Sequence, residues 1–428
     1  MSQHTRHHVN TEQQQLVIGA GPTGLAVAKA FAEANIACDH VEATDHVGGN
    51  WAHGVYETTH IVSSCKTTEY CDYPMPEDYP DFPSAEQMRS YFKDYADEFD
   101  LRDAIRFETT VEEVRYRDDE RWDVRFDDGE EAVYKGVVVC NGHHWKRQYP
   151  AWVDDYTGPV MHSKDYKHPE ELDGKRILVL GGGNSGCDLV SEAARRGECA
   201  HWSLRRGYWF LPELLFGRPV IEIIKPWMPV AMQRALIKPL LRVAVGRYED
   251  YGLPEPDHKI FEAHPSVSSE IFLYLKQGRI EPVGDVESVA GEEVILEGGR
   301  RETYDLVVCA TGYEVAFPFL PDGMIPVEGK NPQLYAGLVR PEYRHLYVAG
   351  AYQARYGIGP LLRPMAQLIA DWVKLQDELD VPLGQVLAKI GQGPPPTHLV
   401  DPHGARRKMA LGRKLVPAMK LYARLRDR

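Results

Sequence analysis

The chain has 428 residues, 43% of them hydrophobic, which is typical of a folded globular protein. This length is large for a single compact core, so we expect two or three domains. The formal net charge of -14 opposes a phosphate backbone, and no 18 uncharged apolar residues occur in a row, which argues against nucleic-acid binding and a membrane-spanning helix.

The start of the chain, MSQHTRHHVN, lacks the apolar run of a secretory signal. The seven cysteines are scattered and contain no C-x-x-C pair, as expected in a reducing compartment. We therefore predict a cytoplasmic protein whose cysteines are mostly buried small residues.

The first predicted element is a short apolar strand, followed by Gly19, Gly21 and Gly24 in G-x-G-x-x-G spacing and by an alanine-rich helix. Glu42 ends a second apolar patch, 18 residues beyond Gly24. Such glycines let a pyrophosphate approach the positive helix N-terminus, and the carboxylate accepts hydrogen bonds from ribose hydroxyls. Although a glycine triplet alone is often only a tight turn, the combination predicts a dinucleotide site.

A proline-rich segment, DYPMPEDYPDFPS, follows and predicts a stiff irregular loop. Ser84 and Gln87 then have the spacing of a capping box at the start of a helix. One face of that helix is apolar, which predicts a core helix. The residues of this face are Met88, Tyr91, Phe92, Tyr95 and Phe99.

A second glycine loop follows the predicted strand from Ile177 to Leu180, with glycines at 181, 183 and 186. Arg205 stands 19 residues beyond the last glycine, with Arg206 and Ser203 beside it. A guanidinium pairs with a ribose 2′-phosphate, which a carboxylate would repel. The first site therefore suits FAD and the second suits NADPH, the alternative for the arginines being a solvated strand end.

Two dinucleotide units on one chain indicate an electron relay from a nicotinamide to a flavin. A dithiol acceptor would place a cysteine pair soon after the first unit, but EATDHVGGNWAHGVYETT contains none. Cys65 and Cys71 come later and are more simply buried thiols. Oxygen is the simplest remaining acceptor.

From about residue 14 to 375 the chain resembles the flavin-containing monooxygenases, which oxygenate soft nitrogen and sulfur. Their F-x-G-x-x-x-H-x-x-x-Y/F-K/R motif is similar to YTGPVMHSKDYKHP, which precedes the second glycine loop. Baeyer-Villiger relatives carry Trp where this chain has Tyr166, which favours heteroatom oxidation over insertion into ketones. The matching residues are Tyr156, Gly158, His162, Tyr166 and Lys167.

This resemblance implies an α/β fold with two Rossmann-like dinucleotide-binding domains, the NADPH domain being inserted into a discontinuous FAD domain. The expected FAD-binding domain comprises residues 1–170 and 310–428, the second part ending in a basic tail. Residues 171–309 are expected to form the NADPH-binding domain. A small-molecule substrate and O2 are the implied partners, and a homodimer is left open.

The same resemblance implies the cofactor-binding residues and no metal site. Those of the flavin part are Gly19, Gly21, Gly24, Glu42, Gly49, Trp51 and Val111, with Thr311 and Gly312 where the chain returns to it. Those of the nicotinamide part are Gly181, Gly183, Asn184, Ser185, Gly186, Ser203, Arg205 and Arg206.

Ser63 is the predicted catalytic residue, because it stands where the family has an Asn beside the flavin. A hydroxyl donates one hydrogen bond and lacks the reach and second donor of an amide. We therefore expect more release of peroxide than is usual in the family. His162, Tyr166 and Lys167 are expected to be scaffold at the domain junction.

The reaction implied by the resemblance begins when NADPH reduces FAD. Oxygen then adds at the flavin C4a, and the hydroperoxide inserts one oxygen atom into an amine nitrogen or a sulfide sulfur. The alternatives are Baeyer-Villiger oxygenation of ketones and a poorly coupled NADPH oxidase or redox-sensing flavoprotein.

Two further segments have open interpretations. The apolar, proline-punctuated segment 219–251 could cover the substrate, contact another subunit or touch a membrane, and packing on its own domain is slightly favoured. The basic stretch 405–428 predicts an amphipathic helix interrupted at Pro417. Peripheral contact with anionic lipid and docking on the protein's own acidic surface are equal alternatives for it.

Overall fold

The structure is a computed structural model that describes residues 11–225 and 227–426. For residues 422–426 it describes the backbone only. The expectation drawn from the first ten residues lies outside this part, as do the side chains at the end of the basic stretch 405–428. Within the described residues, no helix combines the length and apolar character needed to cross a bilayer.

The first sheet has five parallel strands, and its central strands are buried along their whole length. Burial on both faces is what near-continuous apolar runs such as QLVI and GVVV predict. The strands lie in the order 3-2-1-4-5 by their position in the chain, as in dinucleotide-binding folds. In spatial order they are Ile105–Arg106, Cys38–Val41, Gln15–Ile18, Gly136–Val139 and Leu346–Val348.

The second sheet is also five-stranded and parallel. Its strands in spatial order are Ile280–Val283, Cys199–Ser203, Arg176–Leu180, Leu306–Cys309 and Val160–His162. The predicted fold class is confirmed, because two Rossmann-like sheets are present and the first takes strands from both sides of the second in the chain. The exact domain boundaries stay predictions, and Val160–His162, which precedes residue 171, belongs to the second sheet.

Smaller sheets complete each half, and the two that have three strands are antiparallel. One contains Val111–Tyr116, Trp122–Phe126 and Glu131–Tyr134, and another contains Val286–Ala290, Glu293–Leu296 and Arg300–Thr303. The short paired strands are Lys146–Arg147 with Tyr313–Glu314, Phe210–Leu211 with Ser266–Val267, Leu214–Leu215 with Arg218–Pro219, Val327–Glu328 with Asn331–Pro332, and Gln353–Ala354 with Leu399–Val400.

The α-helices pack on these sheets and on one another. Their bounds are Pro22–Glu33, Asn50–His53, Cys65–Thr68, Ala85–Glu98, Asn184–Arg196, Val220–Ile223, Val230–Ala244, Glu270–Lys276, Gly359–Gln376, Leu383–Lys389 and Pro402–Arg426. The helix Gly359–Gln376 contacts Pro22–Glu33, Cys65–Thr68 and Pro402–Arg426. It therefore connects the helix after the first glycine loop, the Ser63 segment (residues 62–70) and the C-terminal helix.

The predicted capping box is present at the helix Ala85–Glu98. Ser84 Oγ accepts from the Gln87 N–H at 3.3 Å, and the Gln87 side chain accepts from the Ser84 N–H at 3.0 Å. Four of the five predicted face residues are buried and Phe99 is partly buried. This face packs against the first domain, as predicted.

The segment 219–251 packs on its own domain, which was the favoured interpretation. Val220, Ile221, Ile237 and Leu241 are buried in a cluster that also contains Tyr356. The opposite side leaves Trp227, Met232 and Val243 exposed, among other apolar side chains. The segment therefore bridges the two parts of the chain while keeping an apolar outer surface.

The expected interruption at Pro417 is wrong, because the helix Pro402–Arg426 continues through it. Contacts on both sides of the proline hold the helix on Gly359–Gln376 and offset the missing hydrogen bond. Arg413 pairs with Asp371 at 2.6 Å, Lys420 pairs with Glu378 at 2.5 Å, and Met419 is buried. These contacts favour docking on the protein's own acidic surface over the lipid alternative.

Each glycine loop turns at its first glycine, where φ is +101° at Gly19 and +104° at Gly181. The third glycine lies directly over the carbonyl of the first. A Cβ at Gly24 would be 1.8 Å from the Gly19 oxygen, and one at Gly186 would be 2.1 Å from the Gly181 oxygen. Only glycine permits this approach of helix to strand.

Replacing Gly186 with Ala should lower the free energy of unfolding by about 3 kcal/mol, because the new methyl group meets a fixed backbone oxygen. Gly183→Ala is the matched control, since a Cβ there meets nothing within 4 Å. Its expected cost is about 1 kcal/mol, from a poorer N-cap residue. Urea unfolding of the purified variants measures both, and equal losses would contradict the predicted clash.

Candidate active site

The first glycine loop and Glu42 lie together at the carboxyl end of the first sheet. Glu42 follows the strand Cys38–Val41, is buried, and accepts the Ala20 N–H at 2.7 Å through Oε2. Its Oε1 accepts from the backbone and hydroxyl of Thr44 at 3.0 and 2.9 Å. Oε2 retains a lone pair beside the loop, which suits a ribose hydroxyl.

A second glycine pair closes on this loop. The Gly48 N–H donates to the Ala20 carbonyl at 2.9 Å, and a Cβ on Gly49 would be 3.0 Å from the Gly21 Cα. Gly21 and Gly49 each cap a helix N-terminus without a side-chain hydrogen bond. The two loops therefore form a side-chain-free cradle with backbone N–H groups, which fits a pyrophosphate.

Trp51 and Val111 occupy different surroundings. Trp51 is half-buried in the helix Asn50–His53, directly after the cradle. Val111 is buried in a core cluster with Ile18 and Val41. The structure thus gives Val111 a packing role, and its contact with the cofactor stays a prediction.

The second glycine loop repeats the geometry of the first. Gly183 caps the helix Asn184–Arg196, and the Gly181 N–H donates to the Ser203 carbonyl at 3.0 Å. The Asn184 side chain is already engaged, since its Oδ1 accepts the Val267 N–H at 2.8 Å. Asn184 therefore positions the Ser266–Val267 strand, while Ser185 lies half-buried in the first helical turn.

The two predicted arginines extend from the strand Cys199–Ser203 into solvent. Ser203 is buried at the strand end, and Arg205 and Arg206 are exposed. The Arg206 guanidinium lies 5.2 Å from the centre of the Tyr208 ring. That ring covers the loop, because a Cβ on Gly182 would be 2.5 Å from it. Both charges thus remain available beside the second loop.

In each sheet, the strand beside the one that leads into the glycine loop is followed by a loop of its own. That second loop faces the first glycine of the glycine loop. A Cβ on Gly19 would be 2.7 Å from the Cys140 oxygen, and one on Gly181 would be 2.5 Å from the Ala310 oxygen. Thr311 and Gly312 therefore adjoin the second glycine loop, and the Thr311 hydroxyl donates to the Gln148 carbonyl. At Thr311 and Gly312 the chain returns to the first domain. These two residues therefore connect the first domain with the second glycine loop.

His162 is a structural residue, as expected. It is fully buried, its Nε2 donates to the Gly312 carbonyl at 3.1 Å, and its Nδ1 accepts the Lys164 N–H at 3.1 Å. Burial lowers the pKa of the imidazole, so the neutral ring holds these two bonds at neutral pH. Lys167 likewise donates to the His53 carbonyl at 2.9 Å.

Ser63 lies next to the helix Cys65–Thr68, and its hydroxyl is 2.7 Å from the Thr68 hydroxyl. Tyr70, just beyond that helix, donates to the Pro22 carbonyl at 2.7 Å. This bond brings the Ser63 segment to the start of the helix Pro22–Glu33. A position for Ser63 beside the cofactor stays a prediction.

Ser63 also lines a cavity of about 50 Å³ between the two halves of the chain. The lining residues are Val62, Ser63, Ile221, His264, Pro265, Val267, Arg355 and Tyr356. Sequence reasoning missed Arg355 and His264, because these positions meet only in the folded chain. The single available signal was a charged residue, Arg355, in an otherwise Gly-rich turn before a helix.

Neutral histidines surround the junction between the halves. The rings of His143 and His398 have centroids 5.4 Å apart, and His143 Nδ1 bonds the Gly350 carbonyl at 3.0 Å. Burial lowers the pKa of His143 and of His264, and together with the neighbouring His143 it lowers the pKa of His398 to about 4. These rings are therefore uncharged at neutral pH.

The comparisons with known proteins agree on one family. A model of flavin-binding monooxygenase-like proteins matches residues 12–374. The chain is 31% identical to flavin-containing monooxygenase 5 of Oryctolagus cuniculus, over 88% of this chain and 77% of that protein. It is 32% identical to dimethylaniline monooxygenase (N-oxide-forming) 2 of Rattus norvegicus, over 76% of this chain and 66% of that protein.

A solved structure shows the same fold. The closed crystal structure of cyclohexanone monooxygenase aligns with a TM-score of 0.72 at 18% identity, covering 96% of this chain and 98% of that one. The resemblance carried by the sequence motifs is thereby confirmed. With both glycine loops in place and a family match over most of its length, the chain belongs to the flavin-binding monooxygenase-like family.

Proposed function

We propose that the protein is an FAD- and NADPH-dependent monooxygenase that inserts one oxygen atom from O2 into an amine nitrogen or a sulfide sulfur. The observation that carries this proposal is a glycine loop that occurs twice with the same geometry. The residues placed to bind the ribose of each cofactor carry a negative charge at the first loop and positive charges at the second. Glu42 stands at the first loop, and Arg205 and Arg206 stand at the second. Such a pair suits one cofactor without a 2′-phosphate and one with it.

The residues around the first loop fit FAD. Gly21 and Gly49 leave room for the pyrophosphate, and Glu42 is placed to accept from the ribose. At the second loop Gly183 leaves the helix N-terminus open, and Arg205 and Arg206 are placed to pair with the 2′-phosphate of NADPH. When bound, the flavin accepts a hydride from NADPH and activates O2.

The protein contributes orientation and, near the junction, histidines that carry no charge at neutral pH. Neutral His143 and His398 add no charge near the junction, and Ser63 offers one hydroxyl there. In the overall reaction a sulfide, O2, NADPH and a proton give a sulfoxide, NADP⁺ and water. Two electrons come from NADPH and two from the sulfur lone pair, which forms the new S–O bond.

The cysteines do not favour a dithiol relay. The Cys65 thiol lies 3.2 Å from the Met75 sulfur, and burial raises its pKa to about 11. Burial raises the pKa of Cys71 as well, and both cysteines are free. Thiolates are scarce at neutral pH under these conditions, so electrons are better delivered to oxygen.

Ketone insertion is the weaker candidate, because the likeness to cyclohexanone monooxygenase shows the fold alone. We also propose a cytoplasmic location, which the free state of all seven cysteines supports. A homodimer and a peripheral membrane contact through 405–428 stay predictions.

The direct test is oxygenation by the purified FAD-loaded protein with NADPH and O2. Thioanisole should give its sulfoxide in proportion to NADPH consumed, and cyclohexanone should give little or no lactone. Products are measured by chromatography and peroxide by a coupled assay. NADPH consumption that appears wholly as peroxide with every substrate would instead indicate an oxidase or a sensor.

The Ser63→Asn variant should release several-fold less peroxide per NADPH than the natural protein. An amide adds a second donor, whereas the Ser63 hydroxyl is already shared with Thr68, and the adjacent cavity has room for the larger side chain. Ser63→Ala is the control and should release at least as much peroxide as the natural protein. An unchanged peroxide fraction in Ser63→Asn would remove Ser63 from the site.

Removing both charges with Arg205→Gln and Arg206→Gln should raise KM for NADPH about 10- to 100-fold, as expected for losing charged hydrogen bonds. KM for NADH should change little, because NADH has no 2′-phosphate. Arg218→Gln, another exposed arginine of this half, is the matched control. Steady-state NADPH oxidation measures the effect, and parallel changes with both nucleotides would refute the assignment.

A further inference from the structure

Arg355 is a buried cation with unused hydrogen-bond donors. Its side chain lines the cavity beside Ser63, and the residue is only 8% exposed. Two of its nitrogens, Nε and Nη1, are buried without a hydrogen-bond partner. A buried charge normally has a partner, because leaving one unpaired is costly. The missing partner is the observation that needs an explanation.

The protein holds Arg355 in place without neutralising it. The backbone N–H of Arg355 donates to the Val400 carbonyl at 2.9 Å, and the guanidinium lies 5.3 Å from the centre of the Phe261 ring. Within the part of the chain that the structure describes, no carboxylate forms an ion pair with it. Asp401, which follows Val400, accepts the Gly404 N–H at 3.1 Å through Oδ2, and its Oδ1 is buried without a hydrogen-bond partner.

The turn that follows Arg355 is pressed against the Ser63 segment. A Cβ on Gly357 would be 2.0 Å from the Thr67 oxygen, and one on Gly359 would be 1.9 Å from the Glu69 oxygen. No side chain fits between these backbones, so the two segments pack in direct contact. Arg355 and Ser63 are therefore held on the same cavity by fixed backbone, which is how preorganised sites are built.

The rest of the cavity is mostly apolar. Val62, Ile221, Pro265 and Val267 line it, and Arg355 is the one permanently charged residue among its lining. The Tyr356 hydroxyl donates to Gln233 at 2.5 Å and also interacts with the Arg355 side chain, whose Nε and Nη1 stay without a partner. A volume of about 50 Å³ is room for roughly three or four water molecules, which is enough for a carboxylate group.

We propose that Arg355 binds the carboxylate of the substrate, so that the preferred substrates are small organic acids carrying a sulfide or amine. This inference rests on the proposed oxygenase function and specifies its substrate class. A guanidinium presents parallel N–H donors that match a carboxylate, and the mostly apolar lining strengthens the pair. Fixing the acid end at Arg355 would leave the reactive heteroatom at a set distance beside Ser63.

The test compares 3-(methylthio)propionate with its neutral amide on the FAD-loaded protein. Binding is measured from the change in flavin absorbance, and oxygenation from sulfoxide formed. The acid should bind at least tenfold more tightly than the amide. Arg355→Met should weaken acid binding about 10- to 100-fold, as expected for losing a charged hydrogen-bonded pair, and leave the amide within about threefold. Arg355→Lys should restore part of the preference.

Three outcomes would overturn the proposal. The natural protein could show no preference for the acid, or Arg355→Met could weaken both probes equally. The variant could also raise KM for NADPH tenfold while keeping the preference for the acid, which would assign Arg355 to the cofactors. If the acid preference is present and lost in Arg355→Met but no sulfoxide forms, the anion site stands and the proposed oxygenase function fails.

Discussion

The close approach of backbone to backbone at the two glycine loops is the constraint on which the structure depends. In each unit the helix after the loop rests on the carbonyl of the first glycine, with no room for a side chain at Gly24 or Gly186. The next strand supplies a ring N–H to that carbonyl, from His40 at 3.0 Å in the first unit and from Trp202 at 2.9 Å in the second. Both helix N-termini are thereby fixed toward the carboxyl ends of the sheets, where anionic cofactors bind.

Close packing also organises the region between the two units. Loops after neighbouring strands reach both first glycines, and His162 joins the Gly312 turn to the edge strand of the second sheet. Tyr56 of the first half donates to Asp188 on the second glycine helix at 2.6 Å. The two cofactor sites are therefore linked by short, buried contacts, which suits a relay that requires two rings in register.

Much of this arrangement follows from local sequence patterns. The glycine spacing, the apolar strands and the Ser84–Gln87 cap each predict structure within a few residues, and all are present. Other features depend on distant parts of the chain. Asn184 bonds Val267, and Arg355 meets His264 at one cavity, for which no spacing rule exists. Pro417 shows the converse, because tertiary contacts of Arg413 and Met419 preserve a helix that local preference would end.

The two unusual residues of the cavity belong together physically. Ser63 is shorter than the Asn that the family resemblance leads one to expect, and Arg355 brings a charge with unused donors to the same space. A longer amide at position 63 would fill part of a cavity of only about 50 Å³. A carboxylate bound by Arg355 would lie in the same cavity as the Ser63 hydroxyl, so both side chains would face one ligand. If Arg355 binds the substrate as proposed, it gives an acidic substrate a fixed point, which orients the reacting atom beside Ser63.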